Sequence, residues 1–281
     1  MRVHHLNCGT MRPAVVGRLV CHVLLCETPD GLVLVDSGLG LQDLAHPAAR
    51  LGPARHLLKP VYDPAETAVR QVEALGFAAE DVRHIVATHF DLDHIGGIAD
   101  FPQAIVHTTA AEHAAATTPA TLNERRRYHA AQWAHGPIVR TYDGGGERWQ
   151  GFAAAHPLQG LDERFVMIPL PGHTRGHAAV AVDTEERGWV LHAGDAFFDR
   201  SSVAAAHRSA GDRRPNRALR AFEMMVGVDR AQVRDNHERL AELDARPDSD
   251  IHVVCAHDPV LFDRYAAAPV QFPRSEQDHR H

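Results

Sequence analysis

The stretch His84-Ile85-Val86-Ala87-Thr88-His89-Phe90-Asp91-Leu92-Asp93-His94-Ile95-Gly96-Gly97 constrains this chain more than any other. An apolar run of strand length ends in a turn that crowds two histidines and two aspartates into six residues, and two glycines follow. Carboxylates and imidazoles packed this tightly repel one another or demand burial partners, and a divalent cation removes both costs at once. Alternation along an extended loop would place His89, Asp91 and Asp93 on one side and turn His94 to the other, which suits two metals held side by side.

The surrounding sequence alternates strands and helices. Residues 15–27 and 32–36 are β-rich, with Pro29-Asp30-Gly31 as hairpin punctuation between them. Residues 64–75 predict a helix with Pro in its first turn and Gly76 at the position just past its end. Residues 84–88 read as a short buried strand, with a helix starting just after His94. Residues 109–135 read as an Ala-rich helical segment. Strands follow at 165–170, 178–183, 189–192 and 251–255, and a helix at 216–245 with a break near Gly227. Two successions of strands and helices without a Pro- or Ser-rich linker predict one domain, residues 1–281, of two similar halves.

Composition excludes several functions. An apolar fraction of 44% with 23% charged residues is that of a folded globular protein, and a net charge of −7 gives no footprint for nucleic acid or an anionic membrane surface. No run approaches the roughly 20 apolar residues of a membrane span, and Met1 to Leu6 lacks the apolar core of a secretory signal, so a cytoplasmic protein is expected. Cys8, Cys21, Cys26 and Cys255 form no C-x-x-C pair and are expected to be buried thiols. Of the 22 histidines, His4, His5, His279 and His281 lie near the termini and are expected to bind nothing specific. His22 and His192 fall in strands and are expected to be satisfied there.

The motif at 89–94 resembles the H-x-H-x-D-H signature of the metallo-β-lactamase fold superfamily, here written H-x-D-x-D-H. Further motifs of that superfamily stand in order. They are Asp36-Ser37-Gly38, Pro171-Gly172-His173-Thr174-Arg175-Gly176-His177, Gly194-Asp195 and Ala256-His257-Asp258. The resemblance implies an α/β (α+β) fold, a four-layered αββα sandwich with metals at one edge of two facing sheets. It assigns His89, Asp91 and His173 to one divalent ion, Asp93, His94 and His257 to a second, and Asp195 to a bridge between them. Asp36, His177 and Asp258 are expected behind these ligands.

Asp91, standing where a histidine is usual, adds a third carboxylate, so two divalent ions and one hydroxide leave the site formally neutral. Such a site acidifies its water less, and a harder ligand shifts preference from zinc towards manganese or iron; zinc remains the first expectation. The implied reaction is hydrolysis of a small ester or lactone by a metal-bridging hydroxide, with Asp93 orienting the nucleophile or taking its proton. Gly194-Asp195-Ala196-Phe197-Phe198 is similar to the acyl-homoserine lactonases, with Phe198 where those enzymes carry a tyrosine that hydrogen-bonds the substrate carbonyl. Residues 109–150 fall where the superfamily places substrate-covering elements, so Arg125, Tyr128 and Trp133 join Phe198 as candidate substrate contacts.

Thioester, sulfate-ester or phosphodiester cleavage uses the same metal pair. A diiron oxidoreductase is a reading of another class, because flavodiiron proteins carry a carboxylate where Asp91 stands; the lack of a flavodoxin-like segment after residue 260 speaks against it. A metal-binding protein without turnover is a third. The expected partner is a small molecule, and apolar helical surface such as residues 222–226 could serve a homo-oligomer.

Overall fold

The computed structural model describes residues 1–184, 188–204, 209–246 and 250–267. Strands β1 (Arg2–Met11), β2 (Leu19–Thr28) and β3 (Gly31–Val35) are followed by short helices α1 (Leu41–Ala45), α2 (Pro47–Arg50) and α3 (Ala54–Leu58). A 3-10 turn at Pro64–Glu66 leads to α4 (Ala68–Ala74), β4 (Val82–Val86), the single-turn α5 (Leu92–Ile95), β5 (Ile105–Thr109), α6 (Ala110–Thr117), α7 (Leu122–Arg127) and β6 (Ile138–Tyr142). The second half runs β7 (Glu147–Trp149), β8 (Phe152–Pro157), β9 (Phe165–Pro169), β10 (Ala178–Asp183), β11 (Trp189–His192), α8 (Arg217–Val226), α9 (Arg230–Asp244), β12 (Ile251–Val254) and α10 (Pro259–Ala266).

Among the described residues the strands form two six-stranded sheets, ordered β1-β2-β3-β4-β5-β6 and β12-β11-β10-β9-β8-β7. Alternation along β2 builds the sandwich. Leu24 and Cys26 join Val33, Val35 and Val86 against Phe165, Met167 and Val180 of the second sheet. Val23 and Leu25 face outward, in one cluster with Val69 and Val72 of α4 and Ala115 of α6. On the far side Ile168, Leu191 and Val253 pack with Leu240 and Leu243 of α9. Each such side chain contributes about 1.5–3 kcal/mol on burial, and apolar residues on both faces explain why the strands read as near-continuous hydrophobic runs. The layers are therefore αββα, and all four cysteines are buried with free thiols.

The site lies where strands of like direction end. β3 runs parallel to β4, β11 runs parallel to β12, and β9 and β11 share a direction because both are antiparallel to β10. Asp36, His89, His173, Asp195 and His257 follow the C-terminal ends of these strands.

Several elements differ from the sequence reading. β2 begins at Leu19 and not at 15, because Val15 sits in a turn at φ 62°, 93% exposed. The helix expected after His94 starts earlier, at Leu92, and tightens into a 3-10 turn at Gly96–Asp100. The segment 109–135 is broken by Pro119, which bars continuation of α6, and Tyr128 leaves α7 in an extended conformation. Residues 64–75 are likewise split by extended Thr67. β5 to β8 escaped notice: β5 and β6 are five residues each, and β7 and β8 meet at a tight turn where Gln150 and Gly151 have φ 49° and 94°. The break at Gly227 separates α8 from α9. His279 and His281 lie outside the described residues.

One histidine pair is expected to make the fold acid-sensitive. His84 Nδ1 lies 2.9 Å from His107 Nε2, and His107 Nδ1 lies 2.7 Å from the Tyr142 hydroxyl. Burial, then the nearby His84 and Arg140, pushes His107 down to about 3. An unfolded histidine titrates near 6.5, so below about 6.5 the unfolded chain binds a proton that the native state excludes. This contribution is fully present above about 6.5 and is lost as the pH falls towards 3. Calorimetric Tm values at pH 7 and pH 5 should therefore differ less in His107→Gln than in the wild type; an equal difference would clear His107 of the effect.

Candidate metal centre

The side chains singled out in the sequence converge in two groups. His89, Asp91, His173 and Asp195 form one, and Asp93, His94 and His257 the other, with the ligand atoms of each group within 4.8 Å of one another. Asp195 faces both. Its Oδ2 lies 3.1 Å from His173 Nε2 and 3.7 Å from His89 Nε2, while its Oδ1 lies 3.1 Å from His257 Nε2 and 3.3 Å from His94 Nε2. Asp91 Oδ2 lies 3.3 Å from His89 Nε2 and 3.1 Å from His173 Nε2, and Asp93 Oδ2 lies 3.5 Å from His257 Nε2. Donors bound tetrahedrally at 2.0–2.1 Å stand about 3.3 Å apart, so these spacings fit the holding of a metal ion by each group.

The outer nitrogens of three rings are held by the protein, which aims the inner ones. His94 Nδ1 is 2.8 Å from Asp36 Oδ2, His257 Nδ1 is 2.8 Å from the Val20 carbonyl, and His89 Nδ1 is 3.0 Å from Thr88 Oγ1. Asp36 also accepts from the Thr88 amide and hydroxyl, tying β3 to the motif loop. The inward atoms His89 Nε2, His94 Nε2 and Asp195 Oδ1 are buried without a hydrogen-bond partner. Unsatisfied lone pairs of buried groups converging on one point fit a cation.

Burial alone would raise the Asp195 carboxyl, yet His257, His94 and His173 around it hold it well below the usual carboxylate range. Asp195 thus offers two anionic oxygens. His177 is not among the convergent donors. Burial, then His89 and His173, lowers it well below 6.5, and the neutral ring is used twice: Nδ1 lies 2.9 Å from the Leu170 carbonyl and Nε2 accepts from the Asp195 amide at 2.9 Å. Asp258 does not touch the His257 ring. It caps α10 through the Val260 and Leu261 amides and pairs with Arg200.

The motif glycines allow close approach. A Cβ on Gly97 would stand 2.5 Å from the Ser37 carbonyl oxygen, and one on Gly176 would stand 2.0 Å from the Glu112 amide nitrogen.

Two residues that hold the site together were not read from the sequence. Glu112, fully buried in α6, accepts from the Phe90 amide, the Tyr128 hydroxyl, the Thr174 hydroxyl and the Gly176 amide, at 2.7 to 3.1 Å. It fastens the loop of His89 and Asp91 to the loop of His173. Arg127 grips Asp91 through two parallel hydrogen bonds, Nε to Oδ1 at 2.6 Å and Nη2 to Oδ2. Burial would raise the Asp91 carboxyl, but Arg127 above all, with His89 beside it, holds it well below its usual range. With Arg127 counted, the ligand set regains the unit of positive charge that a carboxylate in place of imidazole removes, which corrects the formally neutral site expected from ligands alone. Glu112 had no signal, since one Glu in an Ala-rich run reads as a solvated face. Arg127 stands in the run Arg125-Arg126-Arg127, where nothing in the sequence sets it apart from its neighbours.

A cavity of about 290 Å³ opens over the cluster. Asp91, Asp93, His173, Asp195 and His257 form its polar floor; Met11, Leu19, Leu58, Phe198, Phe222 and Val226 are among its apolar walls. The Phe198 ring lies 4.8 Å from that of His257 and 5.7 Å from that of His173. Asn123, Arg126 and Arg127 of α7 also line it, whereas Arg125, Tyr128 and Trp133 do not. Tyr128 turns inward to Glu112, and Trp133 packs on Phe90 with ring centroids 6.0 Å apart.

Residues 16–257 match the family described as the metallo-beta-lactamase superfamily. The chain belongs to that superfamily. A Mycobacterium tuberculosis protein named a probable metallo-hydrolase is 53% identical over 262 residues, spanning 93% of this chain and 82% of the relative. An N-acyl homoserine lactonase of Rhizobium johnstonii is 28% identical over 251 residues, spanning 87% and 84%. Among solved structures, an N-acyl homoserine lactone hydrolase with N-hexanoyl-L-homoserine at its catalytic metal center superposes with a TM-score of 0.64 at 18% identity, over 95% and 96% of the two chains. At that identity the likeness establishes the shared αββα fold. The protein is a metallo-hydrolase of this superfamily, and among its described residues no helix is long and apolar enough to cross a membrane.

Proposed function

We propose that the protein hydrolyses a small lactone or ester at a binuclear site, with His89, Asp91 and His173 around one ion, Asp93, His94 and His257 around the other, and Asp195 between them. The observation that carries this reading is Asp195, whose Oδ2 lies 3.1 to 3.7 Å from His173, His257 and His89 and whose Oδ1 lies 3.1 and 3.3 Å from His257 and His94. Divalent ions held by these residues, zinc by preference, would supply an acidified water and a Lewis acid for the scissile carbonyl. Asp93, at the cavity floor, takes the proton of the attacking water and returns it to the leaving alkoxide. The apolar walls, Phe198 included, accept an acyl chain and exclude bulk water.

The lactonase names among the relatives support the substrate class. The cavity agrees, since its volume suits a small acyl substrate better than a polymer. Cytoplasmic residence fits the four free thiols. The test is a panel of lactones, aryl esters, thioesters, aryl sulfates and phosphodiesters offered to zinc-, manganese- and iron-loaded protein. Acyl lactones and short esters should give the highest kcat/KM, with zinc or manganese. Preferential cleavage of sulfate or phosphate esters would reassign the substrate class, and oxygen consumption by the iron form without hydrolysis would overturn hydrolysis itself.

A further inference from the structure

Arg127 is placed to do more than hold Asp91. Its side chain is 13% exposed, and its guanidinium reaches the cavity beside His173. Three of its five N–H groups are fixed by the protein, Nε and one of Nη2 on Asp91 and one of Nη1 on the Val226 carbonyl at 2.7 Å. The orientation of the fork is thus set without substrate. The second Nη2 hydrogen has His173 Nε2 before it at 2.6 Å, and the second Nη1 hydrogen has no acceptor among the described residues.

His173 Nε2 is the nitrogen that converges with His89 and Asp195 on the candidate metal position. An imidazole nitrogen has a single lone pair, so giving it to a cation removes it as an acceptor for Arg127. The Nη2–H is then free for an acceptor in the cavity that Arg127 and His173 both line. Phe198, whose ring lies 5.7 Å from that of His173, also lines the cavity and offers no hydrogen-bond donor.

We propose that Arg127 is a catalytic residue that donates this hydrogen bond to the substrate carbonyl oxygen, an inference that rests on the hydrolase reading above. The attacking water passes a proton to Asp93 and its oxygen bonds to the acyl carbon, while the carbonyl π pair moves onto the oxygen facing Arg127. On collapse the acyl C–O bond breaks and the alkoxide takes the proton from Asp93, so ester plus water gives acid plus alcohol. A guanidinium keeps its charge throughout the pH range of the enzyme, so the donor is present at every step. Its pre-set orientation means that no reorganisation is needed as charge develops.

The experiment compares wild type, Arg127→Met, Arg127→Lys and Arg127→Ala with and without methylguanidinium on a neutral acyl lactone, with metal per chain measured on each preparation. In Arg127→Met, kcat falls about 10²- to 10³-fold while KM changes less than about threefold and metal content is kept. Arg127→Lys recovers part of kcat, because an ammonium can donate without the bidentate grip. Methylguanidinium added to Arg127→Ala raises its turnover. Loss of metal in proportion to kcat, with no rescue by lysine or methylguanidinium, would leave Arg127 a positioning residue for Asp91 and overturn the proposal, as would an unchanged kcat. A wild type that turns over no lactone or ester would instead overturn the hydrolase reading, and this proposal with it.

Discussion

Asp195→Asn is expected to lower kcat/KM by about 10³-fold or more and to reduce the metal bound per chain. The residue is 2% exposed, and its two oxygens lie among four histidines, Oδ2 beside His89 and His173, Oδ1 beside His94, and both beside His257. An amide of the same shape supplies one oxygen and one NH2, so at least one pair meets hydrogens where it had a lone pair, and the shared negative charge is gone. A loss of 10³ corresponds to about 4 kcal/mol of barrier. Steady-state kinetics and ions per chain, measured on protein whose circular dichroism matches the wild type, check it. Activity within tenfold of wild type with two ions retained would show that Asp195 is not shared.

Glu112→Ala has the largest expected effect on stability, about 3–5 kcal/mol. It strands two amides and two hydroxyls that now share one carboxylate, and each unsatisfied buried group costs about 1–3 kcal/mol before water relieves some of them. That is a large share of a typical folding free energy of roughly 5–15 kcal/mol. Glu112→Gln keeps the volume but turns an NH2 group towards two donors, and costs about half as much. Urea midpoints at constant slope check both values. Because Phe90 separates His89 from Asp91 and Gly176 follows closely on His173, the alanine variant also loses kcat at temperatures where it is folded. A cost below about 1 kcal/mol would show that the two loops do not depend on this residue.

The sequence revealed the site better than the sheets. His89, Asp93, His94, His173, Asp195 and His257 were legible because each follows a strand end within a short motif, and local spacing fixes such geometry. The strands were legible where both faces are apolar, as in β2 and β10. They were hidden where a strand is an edge or near-edge one with mixed residues, as in β6 and β7, because partners far along the chain decide those elements. The pairing of Asp91 with Arg127 was invisible for the same reason: a separation of 36 residues carries no local signal. Its consequence is chemical, since a cation on the departing ligand restores the charge that the departure took away.

On the proposed binuclear reading, Asp91, despite its arginine, completes the ion site it shares with His89 and His173. Elemental analysis of protein purified without added metal tests it directly. Close to two ions per wild-type chain, falling to close to one in Asp91→Ala, is the predicted result. A reproducible single ion in the wild type, unchanged in Asp91→Ala, would contradict the binuclear site.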